Sequence, residues 1–414
     1  MPLPFLRVAC LAALLLLAAC STTPSRPALQ PAPLLLVSID GLRADVLGKG
    51  TLPTLDALAD KGVRAEWMNP SYPTLTFPNH YTLVTGLRPD HHGIIHNHFD
   101  DATLGRFISK QASGREGRFW SGEPIWVGAE KAGLATATMF WPGSEAEIGG
   151  IRPRYWRPFD GKLPPRARVQ QVLRWLDLAP AERPRFMTLY LEQVDVAAHE
   201  SSTFSPQTIA AMRSVDDALA ALLQGLEARG LRDRVNLVVL SDHGMADIAR
   251  ANTRYLDDVL APDHYAVAWW GTLAGIMPSP GHEEMVGRAF SGRHEGYECW
   301  RKSEIPARWH YGSHPRVPAI VCQADTGWRV QLRSHPPQEH ELKGEHGFRP
   351  EDPAMRAVFV ASGPAFVAHA RLPAFDNVDV YPLLARLLGI EPAPNDGDPR
   401  TLLPALKAEM PPGH

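Results

Sequence analysis

Asp195-Val-Ala-Ala-His199 sets a carboxylate and an imidazole four residues apart, a spacing that puts both on one face of a helical turn. Asp242-His243 offers the same two donor types side by side, and Asp40 adds a third carboxylate. Carboxylate oxygen and imidazole nitrogen together are ligands for zinc or a similar divalent transition metal. The set is too long for one ion. Two ions about 4 Å apart would clamp the attacking and leaving oxygens of a phosphoryl transfer. A nucleophile for that transfer stands in Thr74-Leu75-Thr76-Phe77-Pro78-Asn79-His80, where Thr76 followed by Pro78 predicts a helix opening whose orphan N–H groups face an anion. A threonine hydroxyl attacks at neutral pH only when a base or a metal activates it. Alone, Thr76 reads as a helix cap and each aspartate as a turn former. Their joint occurrence points to catalysis.

The elements that must position these residues are legible as apolar runs. Leu34 to Ile39 is continuous and of strand length, and it ends at Asp40. Phe186 to Leu191 precedes Asp195, and Val235 to Leu240 leads into Ser241 and Asp242. Ala135 to Phe140 reads as a further strand. Two-sided hydrophobicity of this kind suits parallel strands covered on both faces. Helical spacing over residues 51–61, 168–177, 207–229 and 378–388 supplies the covers. The predicted class is therefore α/β, a mostly parallel sheet with helices on both faces. Ligands of such sheets bind beyond the carboxyl ends of the strands, where Asp40, Asp195 and Asp242 would converge. Residues 262–340, rich in Gly, Pro, His and Trp, break the rhythm and read as an inserted subdomain. No internal repeat is found.

Composition excludes several classes. The chain has 414 residues, 44% hydrophobic and 21% charged, an ordinary globular mixture. With 42 Lys+Arg against 45 Asp+Glu there is no basic excess, which argues against a nucleic-acid duplex as partner. Residues 1–19 read as a signal peptide, with Arg7 and a short apolar run around Leu11 to Leu17. The tetrad Leu17-Ala18-Ala19-Cys20 resembles a bacterial lipobox, so Cys20 would carry lipid and residues 20–33 would form a flexible tether; a plain secretory signal is the alternative. Ser21 after the Cys resembles lipoproteins sent to the outer membrane. The expected location is the bacterial periplasm, with the membrane reached only through the anchor. Of the four cysteines, Cys299 and Cys322 then remain, read as one disulfide in an oxidising compartment, with two free buried thiols as the alternative.

Taken in order, Asp40, Thr76 in Thr-Phe-Pro-Asn-His, Asp195-x-x-x-His199, Ser241-Asp242-His243-Gly244 and Gly344-Glu345-His346-Gly347 resemble the nucleotide pyrophosphatase/phosphodiesterase family of the alkaline phosphatase superfamily, in its bacterial form. The resemblance implies an alkaline-phosphatase-like three-layer sandwich over residues 34–395, a C-terminal tail over 396–414, and none of the somatomedin-like and nuclease-like domains of animal members. It implies two Zn²⁺ ions, one on Asp195, His199 and His346, the other on Asp40, Thr76, Asp242 and His243. It gives Thr76 the role of a nucleophile that becomes covalently esterified, and Asn97 the holding of a non-bridging phosphate oxygen. It assigns Phe77 and Tyr190 to the sandwiching of a nucleobase. The implied reaction is hydrolysis of nucleotide phosphodiester or phosphoanhydride bonds to nucleoside 5′-monophosphates.

Competing readings come from other classes. A phosphomonoesterase would keep the metals and add cations for a dianionic phosphate, and a lysophospholipid headgroup presents an equally suitable diester. A sulfatase would need Cys/Ser-x-Pro-x-Arg, which the Thr76 segment lacks. A non-catalytic metal-binding surface lipoprotein would not need Thr76 among the ligands. His80, His91, His92, His96 and His98 read as structural or cleft-lining, and His310, His314, His335 and His340 as surface residues.

Overall fold

The computed structural model describes residues 32–335 and 343–408. The signal segment, Cys20, most of the tether and His340 lie outside the described residues. Eight strands form the central sheet in the order Ala370–Leu372, Val63–Ala65, Phe359–Ser362, Asn236–Leu240, Leu34–Ile39, Phe186–Leu191, Thr136–Met139, Tyr155–Trp156. Leu34–Ile39 lies at its centre, pairing in parallel with Phe186–Leu191 (Leu34 opposite Phe186) and with Asn236–Leu240 (Leu34 opposite Asn236). Phe359–Ser362 runs antiparallel to both of its neighbours. The sheet is thus mostly parallel, in keeping with its continuous apolar runs.

Successive residues of the central strand feed two cores. Leu34 and Leu36 pack with Tyr81 and Val84 of the helix Thr76–Thr85 and with Leu384 of the helix Val380–Leu388. Leu35, Val37 and Ile39 face the other way, onto the helices Pro53–Lys61 (Leu55, Leu58), Pro165–Leu176 (Val169, Val172) and Pro206–Glu227 (Val215, Leu219). Three of these helices begin at a proline, whose missing N–H costs nothing in the first turn. Two of them, Pro165–Leu176 and Pro206–Glu227, start one to three residues before the apolar periodicity because their first turns are polar.

Within residues 262–340 short strands replace long ones. Tyr265–Trp269, Leu273–Pro278, Ile320–Ala324, Tyr297–Arg301 and Gly292–His294 form, in that order, a five-stranded antiparallel sheet with its own core around Ile276, Val286 and Phe290. Cys299 and Cys322 sit directly opposite each other on adjacent strands and are joined as a disulfide. Residues 396–408, expected as a tail, run along the body, burying Leu402 and Ala405 in the first core. Among the described residues no helix is long and apolar enough to cross a membrane.

Candidate active site

Because the three central strands are parallel, their carboxyl ends share one edge. Asp40 follows Leu34–Ile39, Asp242 follows Asn236–Leu240, and Asp195 lies in the first turn of the helix Gln193–Ser201 just beyond Phe186–Leu191. Gly41 lets the first and third segments meet: its φ is +71°, and a Cβ there would lie 3.1 Å from Asp195 Cβ. Its N–H donates to Asp242 Oδ1 at 3.2 Å.

Three imidazoles complete the cluster. His199 Nε2 is 3.3 Å and His346 Nε2 3.7 Å from Asp195 Oδ1, while His243 Nε2 is 3.0 Å from Asp242 Oδ2 and 3.5 Å from Asp40 Oδ1. Each ring is anchored through its other nitrogen: Nδ1–H donates to Gly344 O from His199, to Gly244 O from His243 and to Thr74 O from His346, at 2.8, 2.9 and 2.9 Å. That pattern fixes the tautomer and leaves every Nε2 to the cluster, the arrangement of metal-binding histidines.

The residues fit divalent cations. Asp40 Oδ1, Asp195 Oδ1 and Asp242 Oδ2 are buried and accept no hydrogen bond, a costly state for carboxylates unless a cation faces them. Donor atoms of Asp195, His199 and His346 lie within 4.8 Å of one another, as do those of Asp40, Asp195 and His243, and of Asp40, His80 and Asp242. Without an ion the electrostatics are lopsided. Burial, with Asp242 and Asp195 adding repulsion, holds the Asp40 carboxyl well above the usual carboxylate range. Burial also acts to raise Asp195 and Asp242, but their imidazole neighbours outweigh it and keep both below that range. The His346 imidazole is pushed down to about 3 by burial and by His243, whose ring stacks on it at 3.7 Å.

Thr76 opens its helix, and its Oγ1 is 3.2 Å from His243 Nε2. Asn97 Oδ1 accepts the Phe77 N–H at 3.0 Å, leaving the two amide hydrogens of Asn97 for another acceptor. All seven expected metal ligands are therefore brought to one edge, with Asn97 bonded to the residue after Thr76.

Beside them a cleft is lined by Phe77, Trp141, Phe159, Tyr190, Lys110, Arg115 and Glu145. Tyr190 is only 7% exposed, and its hydroxyl donates to Asp40 Oδ2 at 2.5 Å. Phe159 is 37% exposed and escaped the sequence reading, since it lies in an irregular stretch with no periodic signal. Trp141 was legible in principle, two residues past the strand Thr136–Met139. His80, one helical turn after Thr76, is fully buried: its Nδ1–H faces Thr76 O at 2.9 Å and Asp242 Oδ2 at 3.1 Å, and its Nε2 accepts from Ser38 Oγ at 2.8 Å. It braces Asp242. His92 is likewise buried, bonded to Thr82, whereas His310 and His335 are exposed.

The profile of the type I phosphodiesterase / nucleotide pyrophosphatase family matches residues 34–349. Ectonucleotide pyrophosphatase/phosphodiesterase family member 3 of Rattus norvegicus is 37% identical over 392 residues, 92% of this chain and 44% of its own length. An uncharacterized pyrophosphatase/phosphodiesterase of Schizosaccharomyces pombe is 35% identical over 387 residues, covering 89% of this chain and 79% of that protein. The chain spans about half the length of the animal relatives it matches. Murine ectonucleotide pyrophosphatase/phosphodiesterase 5, solved as an inactive variant in complex with AMP, superposes with a TM-score of 0.86 at 32% identity, over 91% of this chain and 100% of that one. These relatives are eukaryotic, so they lend no support to a bacterial source. The profile match and the strand-end cluster agree: the chain belongs to the type I phosphodiesterase / nucleotide pyrophosphatase family.

Proposed function

We propose that this chain is a two-zinc phosphodiesterase/pyrophosphatase that hydrolyses nucleotide phosphodiester or phosphoanhydride bonds and releases nucleoside 5′-monophosphates. The observation that carries this reading is Thr76 Oγ1 at a helix N-terminus, 3.2 Å from His243 Nε2, beside a cleft lined by Phe77 and Phe159. The AMP held by the murine relative supports a nucleotide as substrate.

Asp195, His199 and His346 would hold one zinc, and Asp40, Thr76, Asp242 and His243 the other. When bound, such a pair supplies Lewis-acid stabilisation at phosphorus and lowers the pKa of the Thr76 hydroxyl. The helix start and the Asn97 amide hold non-bridging oxygens. Thr76 Oγ forms a bond to phosphorus as the bond to the leaving oxygen breaks, giving a phosphothreonine ester. Water then hydrolyses that ester and restores the hydroxyl. The base lies on Phe77 with Phe159 as the opposing wall; Tyr190, tied to Asp40, serves the metal-binding edge instead of stacking.

A phosphomonoesterase is the weaker alternative. Arg43 and Arg88, the cations that could have neutralised a dianion, are engaged elsewhere: Arg43 with Asp45 and Met245 O, Arg88 with Asp376. The test is turnover of a nitrophenyl nucleotide diester and of nitrophenyl phosphate, with and without chelator. Chelator-sensitive hydrolysis of the diester supports the reading, and chelator-insensitive or absent hydrolysis overturns it.

The lipobox-like Leu17-Ala18-Ala19-Cys20 supports a bacterial lipoprotein facing the periplasm, with a catalytic domain from residue 34 through the packed segment ending at 408. Cys20→Ala protein should lose the membrane fraction; retention there as strong as wild type would count against the anchor.

A further inference from the structure

Phe159 lies in a stretch without regular secondary structure, partly exposed on the cleft. A large ring on such a segment keeps one orientation only if something beneath it offsets the entropy of holding it there. Beneath it is Arg168, from the first turn of the helix Pro165–Leu176. The guanidinium carbon is 5.9 Å from the Phe159 ring centroid and 4.9 Å from that of Phe140. Arg168 is completely buried, and every edge of its fork is used. Nε donates to Leu163 O at 2.9 Å, Nη1 to Tyr190 O at 2.8 Å, and Nη2 to Glu192 Oε1 at 2.7 Å; Nη1 also reaches Glu192 Oε2.

Glu192 is itself 8% exposed, and it stands between the strand that carries Tyr190 and the helix that carries Asp195. A bidentate pair of this type has a single geometry. The segment crossing it lies in ordinary contact with both: a Cβ at Gly161 would lie 3.6 Å from the Phe159 ring and 3.7 Å from Glu192 Oε1. The Phe159 N–H is pinned to Glu145 Oε1 at 2.8 Å, and the Phe140 ring, itself against Arg168, meets the Phe159 ring edge-on with centroids 5.2 Å apart. Replacing a buried ion pair by apolar side chains of similar volume is often neutral for stability, which makes fixed geometry the property to test in this pair.

We propose that Arg168, paired with Glu192, is a positioning residue that holds Phe159 as a wall of the base cleft at a fixed distance from the Asp40–Asp195 edge, and so sets the preference for nucleotides over small diesters. This rests on the reading of the Phe77–Phe159 cleft as the base site. Removing one charge alone would strand the other in the core, so the variant of choice removes both.

The experiment compares wild type, Phe159→Ala, the double variant Arg168→Met/Glu192→Met, and Arg168→Lys on a nitrophenyl nucleotide diester and on bis(nitrophenyl) phosphate, with folding checked by thermal melting. Phe159→Ala and the double variant are expected to raise KM for the nucleotide by about tenfold, the scale of one lost stacking contact, with a far smaller change for the aryl diester. Arg168→Lys keeps the charge and loses the planar fork; it should show a smaller nucleotide-selective loss, and it decides the question if the double variant does not fold. A nucleotide-selective loss in Phe159→Ala that neither Arg168 variant shares overturns the positioning role and leaves the base site standing. Equal losses on both substrates in the Arg168 variants make the pair merely structural. Absence of any nucleotide-selective loss in Phe159→Ala removes the base-site reading and the proposal with it.

Discussion

The Tyr190 hydroxyl donates to Asp40 Oδ2 at 2.5 Å, so one carboxylate oxygen is held while the other, Oδ1, is left facing the cluster. A ligand fixed in this way binds a metal without first being ordered, and loss of such a partner typically costs about 10–100-fold in metal affinity or activity. Tyr190→Phe should therefore weaken zinc binding in a calorimetric titration and lower kcat/KM by similar factors on nucleotide and small aryl diesters. A loss confined to nucleotides would instead restore Tyr190 as a stacking ring.

Thr76→Ala removes the proposed attacking oxygen, one of the proposed zinc ligands, while the helix start stays held by Asn79 and Asn97 contacts. The variant should melt near the wild-type temperature, still bind AMP, and turn over several powers of ten more slowly. Near-normal turnover would exclude the threonine ester.

Three buried carboxylate oxygens without hydrogen bonds predict strong coupling between metal and fold. A ligand present at a thousand times its dissociation constant stabilises the native state by about 4 kcal/mol. Chelation of zinc-loaded protein should accordingly lower Tm by several degrees, reversibly on adding zinc back. A melting curve indifferent to chelator would mean that no cation faces these oxygens.

Charge counting predicts diester over monoester preference. Two divalent ions would bring four positive charges, and Asp40, Asp195, Asp242 and a Thr76 alkoxide four negative ones, so the proposed centre would be neutral with its histidines uncharged. Arg43 and Arg88 are engaged elsewhere, so neither adds a cation for the extra charge of a dianionic monoester. kcat/KM for the nitrophenyl nucleotide diester should exceed that for nitrophenyl phosphate by orders of magnitude at one pH and zinc level; the reverse order would place the chain among monoesterases.

The Cys299–Cys322 bond closes a loop of sequence separation 23, for which chain entropy gives about 3 kcal/mol. Cys299→Ala/Cys322→Ala should shift the denaturant midpoint downward. An unmoved midpoint would mean that the five-stranded sheet holds these strands together unaided.

The sequence by itself determined the edge where chemistry occurs. Apolar runs buried on both faces suit parallel strands, and parallel strands bring Asp40, Asp195 and Asp242 to one end regardless of how the covering helices pack. The Asp195–His199 spacing and the Thr76 helix start are local properties of the chain, legible without any contact. Only the tertiary structure decided what stands beside that edge. Tyr190 meets Asp40 across 150 positions, and Arg168 meets Glu192 across 24; no periodicity encodes either, because a hydroxyl or a guanidinium finds its partner by the packing of separate elements. Phe159 sits on an irregular segment, so its placement on the cleft followed from Arg168 and Glu145 beneath it and not from any repeating pattern of its own. The antiparallel sheet of Tyr265–Ala324 was illegible for a related reason: its strands are short and interrupted by glycine turns, and their pairing is set by non-local register.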